Sequence, residues 1–113
     1  MAGYESRYPT DSELRKIRNW PSNKGLVPLM EYVKSLWWAA ERGWGQKGYK
    51  YYISTCGWSG NEDLIGALKR NYPFWGLCWV SSRRGGHHRF HIPKFARQAQ
   101  KEPPPERKSE ERE

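Results

Sequence analysis

Residues 74–92 read FWGLCWVSSRRGGHHRFHI, two runs rich in aromatic and β-branched residues on either side of Gly85-Gly86. Paired glycines supply the positive φ angles of the primed turns that close two-residue hairpin loops, so the stretch predicts an antiparallel hairpin with Arg84 facing His87. In that register Arg83 faces His88, Ser82 faces Arg89 and Val80 faces His91. Side chains alternate between the two faces of a strand. One face then carries Trp75, Leu77, Trp79, Phe90 and Ile92 and belongs against a core. The other carries Val80, Ser82, Arg84, His87, Arg89 and His91 and is basic. The first of the two strands, FWGLCWVSS, is apolar on both sides, which places it in the middle of a sheet.

The preceding segments supply the rest of that sheet and its cover. TDSELRKIRNWP predicts a short helix capped by Thr10 or Asp11, with Leu14 and Ile17 on one face and Pro21 at its end. LVPLMEYVKSLWWAAER sets Leu26, Met30, Val33, Trp37 and Ala40 at helical spacing and is expected to be the longest helix, with Trp38 off the buried stripe. GWGQKG fits the dinucleotide pattern G-x-G-x-x-G letter for letter. That motif works where it follows a strand and opens a helix; here the order is reversed, and the segment reads as a flexible connector. YKYYIST is a strand, and SGNEDLIGALKRN a helix opened by a Ser59–Glu62 capping box and ended by Tyr72-Pro73. The element order is α-α-β-α-β-β. A strand, one helix and a second strand in so short a span normally form a parallel βαβ unit. The expected fold is therefore α+β: a three-stranded mixed sheet, made of a parallel βαβ unit plus the C-terminal hairpin, with helices on one face.

The chain has 113 residues, enough for one small domain. The segment from Lys94 onward, KFARQAQKEPPPERKSEERE, is nearly devoid of apolar residues. It is expected to be a disordered charged tail over 94–113, leaving 1–93 as the domain. The tail's charges nearly cancel, so the net charge of +8 resides almost wholly in the domain. A basic domain favours acidic partners, nucleic acid first among them. Seven Trp and seven Tyr fill the core of so small a chain and leave some rings as surface platforms. No apolar run is long enough to span a membrane, and the N-terminus MAGYESRYPTDS lacks a signal core, so a cytoplasmic location is expected. Cys56 and Cys78 are too few for a disulfide framework and are expected to be reduced thiols.

In the βαβ arrangement the strand C-termini share one edge of the sheet. The N-terminus of the WSGNED helix and the Ser81–His88 hairpin tip meet there, which makes that edge the candidate site. Arg83, Arg84 and Arg89 are the expected phosphate contacts, with His87, His91, Ser82, Ser59 and Asn61 as hydrogen-bonding groups and Trp58 as a stacking ring. Glu62 and Asp63 in the first helical turn oppose a phosphate at the helix terminus itself. The three histidines do not suggest a metal: alternation turns His87 and His91 to one face and His88 to the other, and Arg89 stands between the first two. CGWSG lacks the last glycine of a nucleophile elbow, and no acid is placed to orient a histidine. Cys56 near a helix N-terminus, with His87 as base, reads as a small half-buried thiol rather than a nucleophile. No cofactor is implied.

The joint pattern STCGWSGNEDLIGAL and FWGLCWVSSRRGGHHRFHIP, with WSGNE and SSRRGGH its most specific parts, resembles small uncharacterised proteins of bacteriophage and prophage genomes. The resemblance implies a setting, the cytoplasm of a bacterial host, and a task such as nucleic-acid handling or interference with a host system. It implies no catalytic role. The expected function is a non-enzymatic basic module that binds a phosphate-bearing partner, nucleic acid foremost. The alternatives are a protein inhibitor of a host enzyme or defence complex, anchored by exposed Trp38, Trp44 and Trp58, and a protein that captures a small nucleotide.

Overall fold

Helix α1, Asp11–Arg18, begins where expected and for the expected reason. Thr10 Oγ1 accepts from the Glu13 backbone N–H at 3.1 Å, and Glu13 Oε1 accepts from the Thr10 N–H at 2.8 Å. That reciprocal pair satisfies two of the orphan donors of the first turn. A computed structural model of the chain describes residues 8–99. A 3₁₀ turn, Ser22–Lys24, leads into α2, Leu26–Leu36, whose Leu26, Leu29, Met30 and Val33 are fully buried. A single turn, α3 (Ala40–Gly43), precedes strands β1 (Trp44–Lys47) and β2 (Lys50–Ser54). Then follow α4 (Ser59–Arg70), α5 (Tyr72–Cys78), β3 (Trp79–Arg83), β4 (His87–His91) and a last 3₁₀ turn, Lys94–Ala96.

The four strands form one sheet in the order β1-β2-β4-β3, with every neighbouring pair antiparallel. Its inner face presents Tyr51, Ile53 and Phe90 to the helices, all at most 2% exposed. Phe74 of α5 packs on Phe90 with centroids 5.3 Å apart, and Trp37 meets Trp44 edge-on at 5.4 Å. Ile17, Leu64 and Leu68 complete the same cluster, with α1 lying along α4. Among the described residues, helices thus cover one face of the sheet and leave the other uncovered, in keeping with the alternation along the strands.

The class is α+β, as expected, but the topology differs. β2 and β3 run in the same direction, yet they are not neighbours: β4 is inserted between them and pairs with both. The expected parallel βαβ unit is therefore split, and the three-stranded mixed sheet is a four-stranded antiparallel one. The extra strand comes from GWGQ, read as a connector. Its glycines do not prevent pairing. Gly45 sits opposite Tyr52, where a Cβ would stand 3.2 Å from the Tyr52 carbonyl oxygen, and Gly48-Tyr49 closes the β1–β2 hairpin. FWGLC is helical rather than extended. Asn71 Oδ1 caps it by accepting from the Phe74 N–H at 3.2 Å, Pro73 sits in its first turn, and Phe74 and Cys78, one turn apart, are its buried face. A short run apolar on all sides does not distinguish strand from helix by periodicity, and here the cap decides.

Further boundaries shift for local reasons. α2 stops at Leu36, and Trp37 is extended, so α4 rather than α2 is the longest helix. Ser59 does not cap α4: Trp58 holds that position without a side-chain bond, and Glu62 Oε2 instead accepts from Thr55 Oγ1 at 2.6 Å. The folded part continues past Ile92. Ala96 is buried, Arg97 donates from Nε to the Ile92 carbonyl at 3.0 Å, and the Val27 N–H donates to the Arg97 carbonyl at 3.1 Å. Residues 94–99 of the expected tail therefore belong to the domain, and the remainder, 100–113, lies outside the described residues.

Candidate functional site

The β3–β4 loop has three residues, not two. Arg83, rather than Arg84, is the partner of His87, and Arg84-Gly85-Gly86 form the tip. The tip is docked: the Thr55 N–H donates to the Gly86 carbonyl at 3.0 Å, and Gly86 (φ 82°) packs so closely on Thr55 Oγ1 that a Cβ there would collide with it. Thr55, through Glu62, is in turn tied to the first turns of α4. The hairpin tip and the α4 N-terminus do converge, as expected, although through an antiparallel sheet.

This one-residue shift of register redistributes the predicted site residues. Arg83, His87, Arg89 and His91 lie on the uncovered outer face and are exposed. Arg84 is at the tip, off the ladder. Ser82 falls on the opposite side from Arg89. It pairs with His88, whose Nδ1 is 2.8 Å from Ser82 Oγ, while Trp79 Nε1 donates to the same hydroxyl at 2.8 Å. Partial burial pushes the His88 imidazole below its usual range, in favour of the neutral form. Ser81, opposite Arg89, takes the outer position assigned to Ser82. A bulge at Val80 separates the pairs Trp79–Phe90 and Ser81–Arg89.

Two other predicted members have structural roles, and a third lies apart. Asn61 is fully buried. Its side chain accepts from the Trp38 N–H at 2.9 Å and donates to the Trp38 and Thr55 carbonyls at 3.0 and 3.2 Å. Trp58 is half-buried, stacked on Trp38 at 4.9 Å and tilted against Tyr8 at 4.8 Å, so its faces are occupied. Ser59 is exposed at the start of α4, away from the strand ladder. Trp38 and Trp44 are half-buried as well.

Strand β2 contributes what the sequence reading missed. Lys50 pairs with His91, Tyr52 with Arg89 and Ser54 with His87, so these three share the outer face. Ser54 Oγ is hydrogen-bonded to His87 Nδ1. The Arg89 guanidinium lies over the Tyr52 ring, 5.1 Å from its centroid. Tyr52, Ser54, Arg83, His87 and Arg89, with Ile53 and His88, line an open depression of about 480 Å³. Lys50 and Lys47 extend the basic surface toward β1. The alternation of KYYIS already put Lys50, Tyr52 and Ser54 on one side of a strand; which strand they adjoin depends on a pairing across more than 30 residues of sequence.

The electrostatics of this face are one-sided. No Asp or Glu occurs between Glu41 and Glu62, or between Asp63 and Glu102. All four strands fall within those two acid-free stretches. A second basic depression, about 360 Å³, lies on the helical side among Arg15, Lys16, Asn19, Trp20 and Lys24. Its cations have other employment. Arg15 and Lys16 sit in the last turn of α1, where cations offset the dipole. The Lys16 ammonium is 4.4 Å from the Tyr32 ring centroid and that of Lys24 is 4.5 Å from that of Trp20.

Cys78 is buried, which pushes its thiol up to about 12 and keeps it protonated. Cys56 is exposed and donates to the Ser54 carbonyl at 3.7 Å, while His87 Nδ1 is engaged by Ser54 rather than by that thiol. No helix among the described residues is long and apolar enough to cross a membrane. Comparison of the chain with protein-family models, with curated proteins and with solved structures gives no match in any of the three.

Proposed function

We propose that the protein is a non-enzymatic binding module whose uncovered sheet face takes a phosphate-bearing partner, with nucleic acid as the leading class. The observation that carries this reading is the acid-free sheet, on whose outer face Lys47, Lys50, Arg83 and Arg89 stand beside His87, His91 and Tyr52. Four permanent cations on one solvated face, with no carboxylate in any strand, set up a positive potential that a polyanion neutralises with release of counterions. Serine and histidine side chains between the cations add hydrogen bonds to phosphate oxygens.

The absence of enzymatic chemistry in this reading rests on the Ser54–His87 pair. No carboxylate lies in the strands to orient the imidazole, and Glu62, nearest along the chain to the β2 end, is occupied by Thr55. A protein-inhibitor role anchored by Trp38, Trp44 and Trp58 gains nothing from the structure, since all three rings are half-buried. The setting we propose, from the sequence resemblance, is a phage-encoded protein acting in the cytoplasm of its bacterial host.

The test is the salt dependence of binding to a labelled oligonucleotide. The logarithm of the association constant should fall linearly with that of salt concentration. The double variant Arg83→Ala/Arg89→Ala should flatten the slope by about 0.7 per phosphate contact removed. Binding that is absent, or independent of salt, would refute the proposal.

A further inference from the structure

The outer face is not uniformly polar, and its uneven part narrows the ligand. Below the large depression lies a smaller one of about 190 Å³, lined by Lys50, Tyr52, Val80, Arg89, Phe90 and His91. Tyr52 and Arg89 border both. The guanidinium, stacked over the ring, forms a platform between them, with Tyr52 still 42% exposed. On the far side of the smaller depression Val80 presents an aliphatic wall and is 53% exposed. It is also the bulged residue, without a Cα partner of its own in the β3–β4 ladder.

A site for bare phosphate has no use for an aliphatic wall or a ring. A planar heterocycle uses both: the guanidinium, backed by the Tyr52 ring, stacks on its face, and the Val80 side chain packs against it. Arg83 and Arg89 line the larger depression, and Lys50 and Arg89 the smaller. His87 and Arg89 stand two residues apart on β4, a step of about 6.8 Å, with Arg83 opposite His87. That spacing suits successive phosphates of one strand running along β4. A duplex fits poorly, because its bases are already stacked and paired, whereas a platform of this kind takes an unstacked base.

We infer that the outer face binds single-stranded nucleic acid, its phosphates on Arg83, His87 and Arg89 and an unstacked base on the Tyr52–Arg89 platform against Val80. The inference rests on the anion-binding reading above and adds the ligand's strandedness and the base subsite.

Fluorescence anisotropy with the full chain tests it, using a labelled oligothymidylate and an oligouridylate of about 12 nucleotides, within the range one small β domain covers. A duplex of equal length is the comparison, and unlabelled heparin the competitor. At least one single strand should bind about ten-fold tighter than the duplex. Tyr52→Ala should weaken single-strand binding about ten-fold at unchanged salt slope, and Tyr52→Phe, which keeps the ring, should restore it. Val80→Asn, which leaves every charge and the ring in place, should weaken it too, so the inference does not depend on one variant folding. Equal or tighter duplex binding, or full affinity in both Tyr52→Ala and Val80→Asn, would overturn the base subsite. The anion reading would stand in that case if heparin competes and the salt slope persists. Loss of all polyanion binding would remove both.

Discussion

Two glycines with similar backbone angles separate conformational strain from crowding. Gly48 (φ 62°) and Gly86 (φ 82°) both close hairpins, but nothing lies within 4 Å of a Cβ at Gly48, whereas one at Gly86 meets Thr55 Oγ1 and comes within 3.2 Å of Glu62 Oε2. Gly48→Ala should cost about 1 kcal/mol, the strain of the left-handed region alone. Gly86→Ala should cost about 3 kcal/mol or more, because the tip must leave Thr55 as well. Urea unfolding of the two variants checks the difference, and equal costs would mean that the tip is not docked. His88 supplies a pH dependence. Its imidazole is depressed in the fold, so the folded state binds less proton than the unfolded chain below the ordinary value of 6.5. Its contribution is complete above that pH and is lost as pH falls through the window beneath it. Relative to His88→Gln, the wild type should lose more stability between pH 7.5 and about pH 5. Parallel profiles would contradict the assignment. At this scale the sequence was legible in kind but not in register. It showed that His87 and His91 share a face and His88 does not, yet it took Gly85-Gly86 as a complete loop. The contact that makes the loop one residue longer, Thr55 to Gly86, joins residues 31 apart in the chain.

Among the elements, buried asparagines hold together what periodicity alone leaves loose. Asn71 donates from Nδ2 to the Ile17 and Trp20 carbonyls at 2.9 and 3.0 Å and caps α5 through Oδ1, tying the end of α1 to the start of α5. Asn71→Ala would take the side-chain donor from the Trp20 carbonyl and the acceptor from the Phe74 N–H, and would leave the Ile17 carbonyl with its backbone donors alone. We expect a loss of about 2–4 kcal/mol by urea unfolding, and a loss under 1 kcal/mol would show the bonds to be incidental. The helices α1 and α4 were readable because each has a long amphipathic stripe, and α1 a complete capping box. FWGLC was not, since its apolar residues fit either period and its cap, Asn71, is recognisable only once its side chain is known to be buried. β1 was hidden for the opposite reason. WGQK has too little apolar alternation to declare itself, and it becomes a strand because β2 offers an edge. Helices were thus legible from local signals, while the sheet order, with β4 between β2 and β3, arises from pairings that no local signal encodes.

For the whole molecule the decisive property is segregation. Carboxylates are confined to helices and the chain's ends, the strands carry none, and the helices cover only one side of the sheet. The net charge was legible from composition, and half the site from the alternation of HHRFH. Lys50, Tyr52 and Ser54 entered only when β2 took its place beside β4. Two basic surfaces now compete for the role of binding face, the outer sheet and the Arg15–Lys16–Lys24 cluster on the helical side. An amide chemical-shift titration of the full chain with a single-stranded oligonucleotide distinguishes them directly. We expect the perturbed amides to trace Lys50, Tyr52, Ser54, Arg83, His87, Arg89 and His91 across three adjacent strands. Perturbations gathered on Arg15, Lys16, Asn19 and Lys24, with the strands unmoved, would contradict the account.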